Sequence, residues 1–148
     1  MFANFALATF MVGLTVSIHF GGLLGLMWLL RRAGHRFRAH ESAAGQGAAI
    51  LFVVLGLVGI ITIEIWAYGL AYLVIGALPD FETALYFSTE SFTTMGYGDV
   101  VLGRQWRLFG AIEGANGLLL FGWSTAFLFG VTGRMRTLEH DWLERVQT

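Results

Sequence analysis

The 148-residue chain contains no cysteine, which excludes disulfides, zinc–thiolate centres and iron–sulfur clusters. It contains no lysine either; all nine basic residues are arginine, a trace of coding composition and not of mechanism. Proline occurs once, at Pro79. Charge is scarce: 13% of residues, where soluble domains carry roughly 25%. The net charge of −1 gives no reason to expect a nucleic-acid partner. Internal repeats, low-complexity segments and domain linkers are absent as well.

What fills the chain is apolar. Hydrophobic residues make up 56% of it, and the mean hydropathy is +0.67. That is the composition of an integral membrane protein. Phe2–Leu30 carries no charge and one histidine, His19. It is long enough to cross a bilayer core of about 30 Å. Without a basic leading region or a small-residue cleavage site, it reads as a span and not as a cleaved signal peptide. A second run extends from Ala43 to Leu78 with Glu64 as its only charge, and Pro79-Asp80 stops it. A third covers Trp106 to Val131, broken only by Arg107 and Glu113. Between them lies "FETALYFSTESF", Phe81–Phe92, helix-permissive but too short to span. Asp80 as N-cap and Glu82 in the first turn make a good start for it.

Arginine placement predicts the orientation. Arg31, Arg32, Arg36 and Arg38 lie between spans one and two, and Arg134, Arg136 and Arg145 follow span three, whereas only Arg104 and Arg107 lie between spans two and three. The positive-inside rule then puts the 32–44 loop and the C-terminus in the cytoplasm and the N-terminus outside. Trp28 and Trp106 suit the inner and outer interfaces. The tail "TLEHDWLERVQT" reads as an amphipathic helix at the inner surface, too short for a ligand-binding domain.

Between the short helix and span three stands "TTMGYGDV", Thr93–Val100. Non-helical backbone at membrane depth is tolerated only where protein buries it or water reaches it. A half-helix entering from outside would aim the negative end of its dipole at the bilayer centre, where a cation can be held. Glycines at alternate positions permit backbone angles that L-residues avoid, so successive carbonyls can turn toward one axis. A ring of such carbonyls replaces the water shell of an alkali cation.

Thr93-Thr94-Met95-Gly96-Tyr97-Gly98-Asp99 resembles the selectivity-filter signature of potassium channels. The layout from about Ala48 to Val131 is similar to the bacterial two-helix channels. The resemblance implies an all-α membrane protein with three transmembrane helices, a re-entrant pore helix and a filter loop, assembled as a tetramer in a bacterial inner membrane. It divides the chain into an extra N-terminal helix (1–31), an arginine-rich loop (32–44), a pore domain (45–133) and a short tail (134–148). It further implies that the carbonyls of Thr94, Met95, Gly96 and Tyr97 form potassium sites, that the Thr94 hydroxyl closes the innermost site, and that Gly98 forms the outer mouth. Met95 departs from the usual valine or isoleucine; its side chain should face the scaffold, as softer packing behind the filter.

The same family places a glutamate at Glu90, which here would share a proton with Asp99, because two touching carboxyls cannot both ionise cheaply. The plainer alternative is that Glu90 caps or solvates the pore helix. Gly117 stands where the family keeps a hinge glycine, with Gly114 and Gly122 as rivals and simple close packing as the alternative. Leu118, Phe121, Thr125 and Phe129 fall on one helical face. They read as cavity and inner-mouth lining, with Phe121 and Phe129 as a constriction that gates by dewetting, or else as helix packing.

Two acids lie within the spans, where carboxylates are costly and functional by default. Glu113 is placed to hydrogen-bond the pore helix from behind, near Ser91 or Thr93, and so to support the filter. Glu64 has no assigned partner; it is either protonated or bonded to span one or three. His19 reads as a buried hydrogen-bonder, and His35, His40 and His140 as solvated residues, with a cytoplasmic pH sensor as the alternative. Span one carries Gly21 and Gly25 at small-xxx-small spacing and no arginine row, so it reads as a peripheral packing helix and not as a voltage sensor.

The implied activity is passive K⁺ conduction, with K⁺ as permeant ion, no organic cofactor, the lipid bilayer as surroundings and no auxiliary subunit evident. One loop supplies one quarter of a ring, so a homotetramer is the minimal unit. A weakly selective cation channel is the nearest alternative. A potassium-uptake subunit would carry four degenerate loops, and this chain has one. A membrane-embedded enzyme, or a non-conducting assembly or regulatory protein, is the reading from another class. No catalytic residue is assigned, since Glu64, Glu113 and His19 do not form a convergent catalytic set.

Overall fold

The computed structural model describes the backbone of residues 2–37 and 43–146, and the side chains of residues 2, 4–32 and 44–133. Arg38 and His40 lie outside the described residues, as do the side chains of His35, Arg36 and His140 and of the tail arginines, so the charge and histidine readings made there lie outside the description too. Every element is an α-helix: α1 Phe2–Phe37, α2 Ala43–Val74, α3 Phe81–Phe92 and α4 Arg107–Val146. Three of them, over Asn4–Arg32, Ala44–Val74 and Arg107–Gly133, are long and apolar enough to cross a membrane.

The end of α2 differs from the sequence reading. The helix stops at Val74, not at Pro79. Gly76 takes φ +65°, Ala77 N–H donates to Tyr72 O at 2.9 Å, and Gly76 N–H donates to Leu73 O at 3.1 Å. These two bonds are a Schellman cap, which glycine closes without a Cβ penalty. Asp80 caps α3 as expected: its extended backbone presents a carboxylate that accepts from Thr83 N–H at 2.8 Å and Thr83 O–H at 2.8 Å. The Thr83 amide holds the Asp80 carboxyl below its usual range.

Helices α2 and α4 form the middle of the unit. Both α1 and α3 pack against each of them, whereas the backbones of α1 and α3 do not approach each other closely among the described residues. One apolar cluster, around Met11, Tyr68, Tyr72, Phe92, Phe109 and Leu120, seats α3. A second, around Leu23, Leu26, Val53, Leu57 and Ile60, joins α1 to α2 at the other end. The close approach there occurs at Gly22 against Ile60 and at Gly56 against Leu26, while Gly21 and Gly25 face open space. The small-residue contact thus lies one helical position away from the expected pair. Only 28%, 22% and 22% of the most apolar windows of α1, α2 and α4 are buried within the chain; lipid or further copies must cover the rest.

Candidate functional site

The site begins where α3 ends. Thr93 closes the helix with its amide and its hydroxyl on Thr89 O, at 3.1 and 2.7 Å. Thr94 N–H then donates to Ser91 O at 3.0 Å. From there φ is positive at Thr94 (58°), Gly96 (57°) and Gly98 (79°), and at no other residue from Thr93 to Val100. Alternation of hand along a backbone turns the N–H groups to one side and the carbonyls to the other. The amide side faces Glu90. Its carbonyl accepts from Met95 N–H at 2.9 Å and Gly96 N–H at 3.4 Å, and its Oε1 accepts from Tyr97 N–H at 2.7 Å. Residues 94–99 are exposed.

Thr94 at positive φ is the feature sequence reasoning missed. A β-branched residue there is a genuine outlier, and the amides that follow it, tied to Glu90, hold it in place. Glu90 and Asp99 do not bond each other in this chain. Glu90 faces the Tyr97 amide, while Asp99 accepts from Tyr86 O–H at 3.0 Å and from its neighbour Val100 N–H at 3.0 Å. The hydrogen bond to Asp99 pushes the Tyr86 phenol up to about 12, because an ionised Tyr86 could not donate it. Met95 does not meet a scaffold within its own chain; it is 61% exposed, and Tyr97 is 73% exposed.

Behind α3, Glu113 is fully buried and does reach the short helix, but one turn earlier than Ser91 or Thr93. Its Oε1 lies 2.6 Å from Ser88 Oγ, and its Oε2 accepts from Tyr72 O–H at 2.5 Å. Gly114 and Gly117 let α4 run against the last turn of α3. A Cβ on Gly114 would meet Ser91 O at 3.2 Å, and one on Gly117 would overlap the Phe92 carbonyl. Gly117 thus stands in close contact with the end of α3. Nothing lies near Gly122.

Along α4, Leu118, Thr125 and Phe129 are exposed on one face. Phe121, on the same side of α4, is half-buried: its ring packs edge-on against Phe92 with centroids 6.1 Å apart. An open apolar hollow lined by Ala115, Leu118, Leu119, Gly122 and Trp123 lies beside the stripe.

Toward α1 the buried polar groups form two further layers. His19 Nδ1 pairs with Glu64 Oε1 at 2.9 Å, and His19 Nε2 lies 3.4 Å from Ser124 Oγ. One helical turn away, Asn116 Nδ2 donates to Thr15 Oγ1 at 2.8 Å and to Tyr68 OH at 3.3 Å. His19 is the buried hydrogen-bonder expected, and Glu64 finds its partner on span one. Glu64 Oε2 and Asn116 Oδ1 have no hydrogen-bond partner among the described residues. The stripe Glu64–Tyr68–Tyr72, every fourth residue of α2, was the signal that could have revealed this column.

The family described as "Ion channel" matches residues 60–133, half of the chain, from the middle of α2 through α3 and the loop into α4. Among curated proteins, the voltage-gated potassium channel Kch of Escherichia coli (strain K12) is 34% identical over 96 residues, covering 62% of this chain and 22% of that protein. The chain thus spans less than a quarter of that relative's length. No solved structure matches the chain.

Proposed function

Because the chain belongs to the ion channel family, we propose that it is a potassium-selective channel, in which four copies surround one pore and the 94–98 carbonyls of each line a quarter of it. The observation that carries this reading is the alternation of positive φ at Thr94, Gly96 and Gly98, with the intervening amides turned to Glu90. The 94–98 carbonyls accept no hydrogen bond among the described residues, and turned to one axis they would offer what a dehydrated alkali cation needs. Potassium as cargo is further supported by the relative's name and by Tyr97 between two glycines.

Assembly as a tetramer is supported by the exposure of Met95 and Tyr97 in the single chain; a neighbouring copy would supply the scaffold that Met95 lacks here. Residues 45–133 would form the pore domain, 1–31 an added helix, 32–44 an inner loop and 134–148 a tail, with the N-terminus outside and the C-terminus in the cytoplasm. The inner mouth would be lined by Leu118, Thr125 and Phe129. Span one holds no charged residue between Phe2 and Leu30, so it offers no row of gating charges.

Reconstitution in liposomes under a K⁺ gradient tests the reading. The expected flux passes K⁺ and Rb⁺, excludes Na⁺ and is blocked by Ba²⁺. Purified tetramers that pass none of these ions would overturn it.

A further inference from the structure

Ser88 sits on the side of α3 opposite Glu90, two residues or about 200° around the helix. Its hydroxyl lies at the junction of three helices: 2.9 Å from the Ile65 carbonyl of α2 and 2.6 Å from Glu113 Oε1 of α4. Tyr72 of α2 closes the other carboxylate oxygen at 2.5 Å. Ser88, Glu113 and Tyr72 are all fully buried.

Counting protons orders this junction. Ser88 has one to give, and the Ile65 carbonyl can only accept. If Ser88 donates to Ile65, two lone pairs would face each other across 2.6 Å unless Glu113 carries a proton on Oε1. A neutral Glu113 resolves the whole chain. Tyr72 O–H donates to Oε2, Oε1–H donates to Ser88, and Ser88 O–H donates to Ile65, with every donor used once. An ionised Glu113 would leave Ser88 choosing between two acceptors. It would also bury a charge with no cation paired to it among the described residues.

We propose that Glu113, as a neutral donor and acceptor, joins Tyr72 and Ser88 in a brace that positions the pore helix, and through it the Glu90 hub on which the loop's amides hang. The proposal rests on the channel reading above. Ser88 and Tyr72 are positioning residues: they reach the conduction path only through α3. Displacing Ser88 tilts the helix and moves Glu90 on its far side, so the damage falls on ion discrimination.

The test measures the K⁺/Na⁺ permeability ratio of reconstituted Glu113→Gln, Glu113→Ala, Ser88→Ala and Tyr72→Phe, each first confirmed to assemble like the parent by size-exclusion chromatography. Glutamine accepts from Tyr72 and donates to Ser88 just as the neutral acid does, so Glu113→Gln is expected to keep the parent ratio. Ser88→Ala and Glu113→Ala should lower it by about tenfold, the equivalent of one buried hydrogen bond. A Glu113→Gln channel as poorly selective as Glu113→Ala overturns the neutral-donor role, and an unchanged ratio in Ser88→Ala overturns the brace. Infrared difference spectra of the parent minus Glu113→Gln add a readout independent of flux. A protonated-carboxyl band is expected, and an ionised-carboxylate band in its place overturns the assignment. A parent protein that does not conduct overturns the channel reading, while the infrared bands still decide the protonation of Glu113.

Discussion

Gly117 of α4 lies directly beneath the backbone carbonyl of Phe92, so close that a Cβ there would overlap it. The last carbonyls of α3 are the negative end of its dipole, and α4 touches them through a residue with no side chain. Gly117→Ala must therefore displace the end of α3 or of α4, an overpacking cost of about 1–3 kcal/mol. If the channel reading holds, the expected outcome is weakened K⁺ selectivity, and in any case a lower thermal midpoint for the purified protein. Gly122→Ala, in open space, should change neither. A free hinge at Gly117 predicts the opposite pattern, altered opening with selectivity intact.

The loop hangs on Glu90. Glu90→Ala leaves the part-buried Tyr97 amide without its acceptor, a loss of about 1 kcal/mol. Glu90→Gln retains an oxygen at the same place. Currents from the alanine variant should decay or lose selectivity, and those from the glutamine variant should follow the parent. Because Glu90 and Asp99 hold different partners, their effects should add within about 0.5 kcal/mol in a double-mutant cycle. A large coupling energy would restore the shared-proton clamp.

Tyr86 and Asp99 make a prediction in pH. The hydrogen bond raises the Tyr86 phenol to about 12, from an ordinary value of about 10. A raised value means that the bond's contribution is fully present below about pH 10 and is lost as pH rises through about 12. The phenolate absorbance of the parent minus Tyr86→Phe should therefore appear near pH 12. In an Asp99→Ala background it should move down toward about 10. Titration of the parent difference signal near 10 would rule out the Tyr86–Asp99 bond.

The His19–Glu64 pair calls for a different cycle. Either leucine substitution alone strands a buried polar partner and should cost about 3–5 kcal/mol. The double leucine variant should recover most of that, because apolar residues can replace a buried pair at little cost. Thermal unfolding of the detergent-solubilised protein measures all three. Single variants as stable as the parent would mean that α1 is not fastened at this point.

The spans and the half-helix were legible because composition and capping are local. The 81–92 helix follows from Pro79, the Asp80 cap and Glu82 in its first turn. The end of α2 was misplaced because Pro79 is the louder signal, while Gly76 acts through two backbone bonds that no residue type spells out. Gly96 and Gly98 announced left-handed backbone; Thr94 could not, since its angle is imposed by amides tied to Glu90. Glu113 meets α3 at Ser88, one turn before the expected Ser91 or Thr93, because the register between α3 and α4 is set by Gly114 and Gly117 meeting Ser91 and Phe92. Contacts of long range, such as His19 with Glu64, depend on how α1 docks, which hydropathy does not encode.

The pairing of His19 with Glu64 also bears on how the chain enters a bilayer. An acidic residue at the centre of a single inserting helix costs about 3 kcal/mol on insertion scales. Synthesis runs from the N-terminus, so α1 is already in place when α2 emerges, and the imidazole meets the carboxyl on arrival. The family match begins at residue 60, and a fragment cut to it would leave Glu64 without His19 and Asn116 with Tyr68 but without Thr15. The order of helices along the chain thus makes the partner of Glu64 available before Glu64 itself is synthesised.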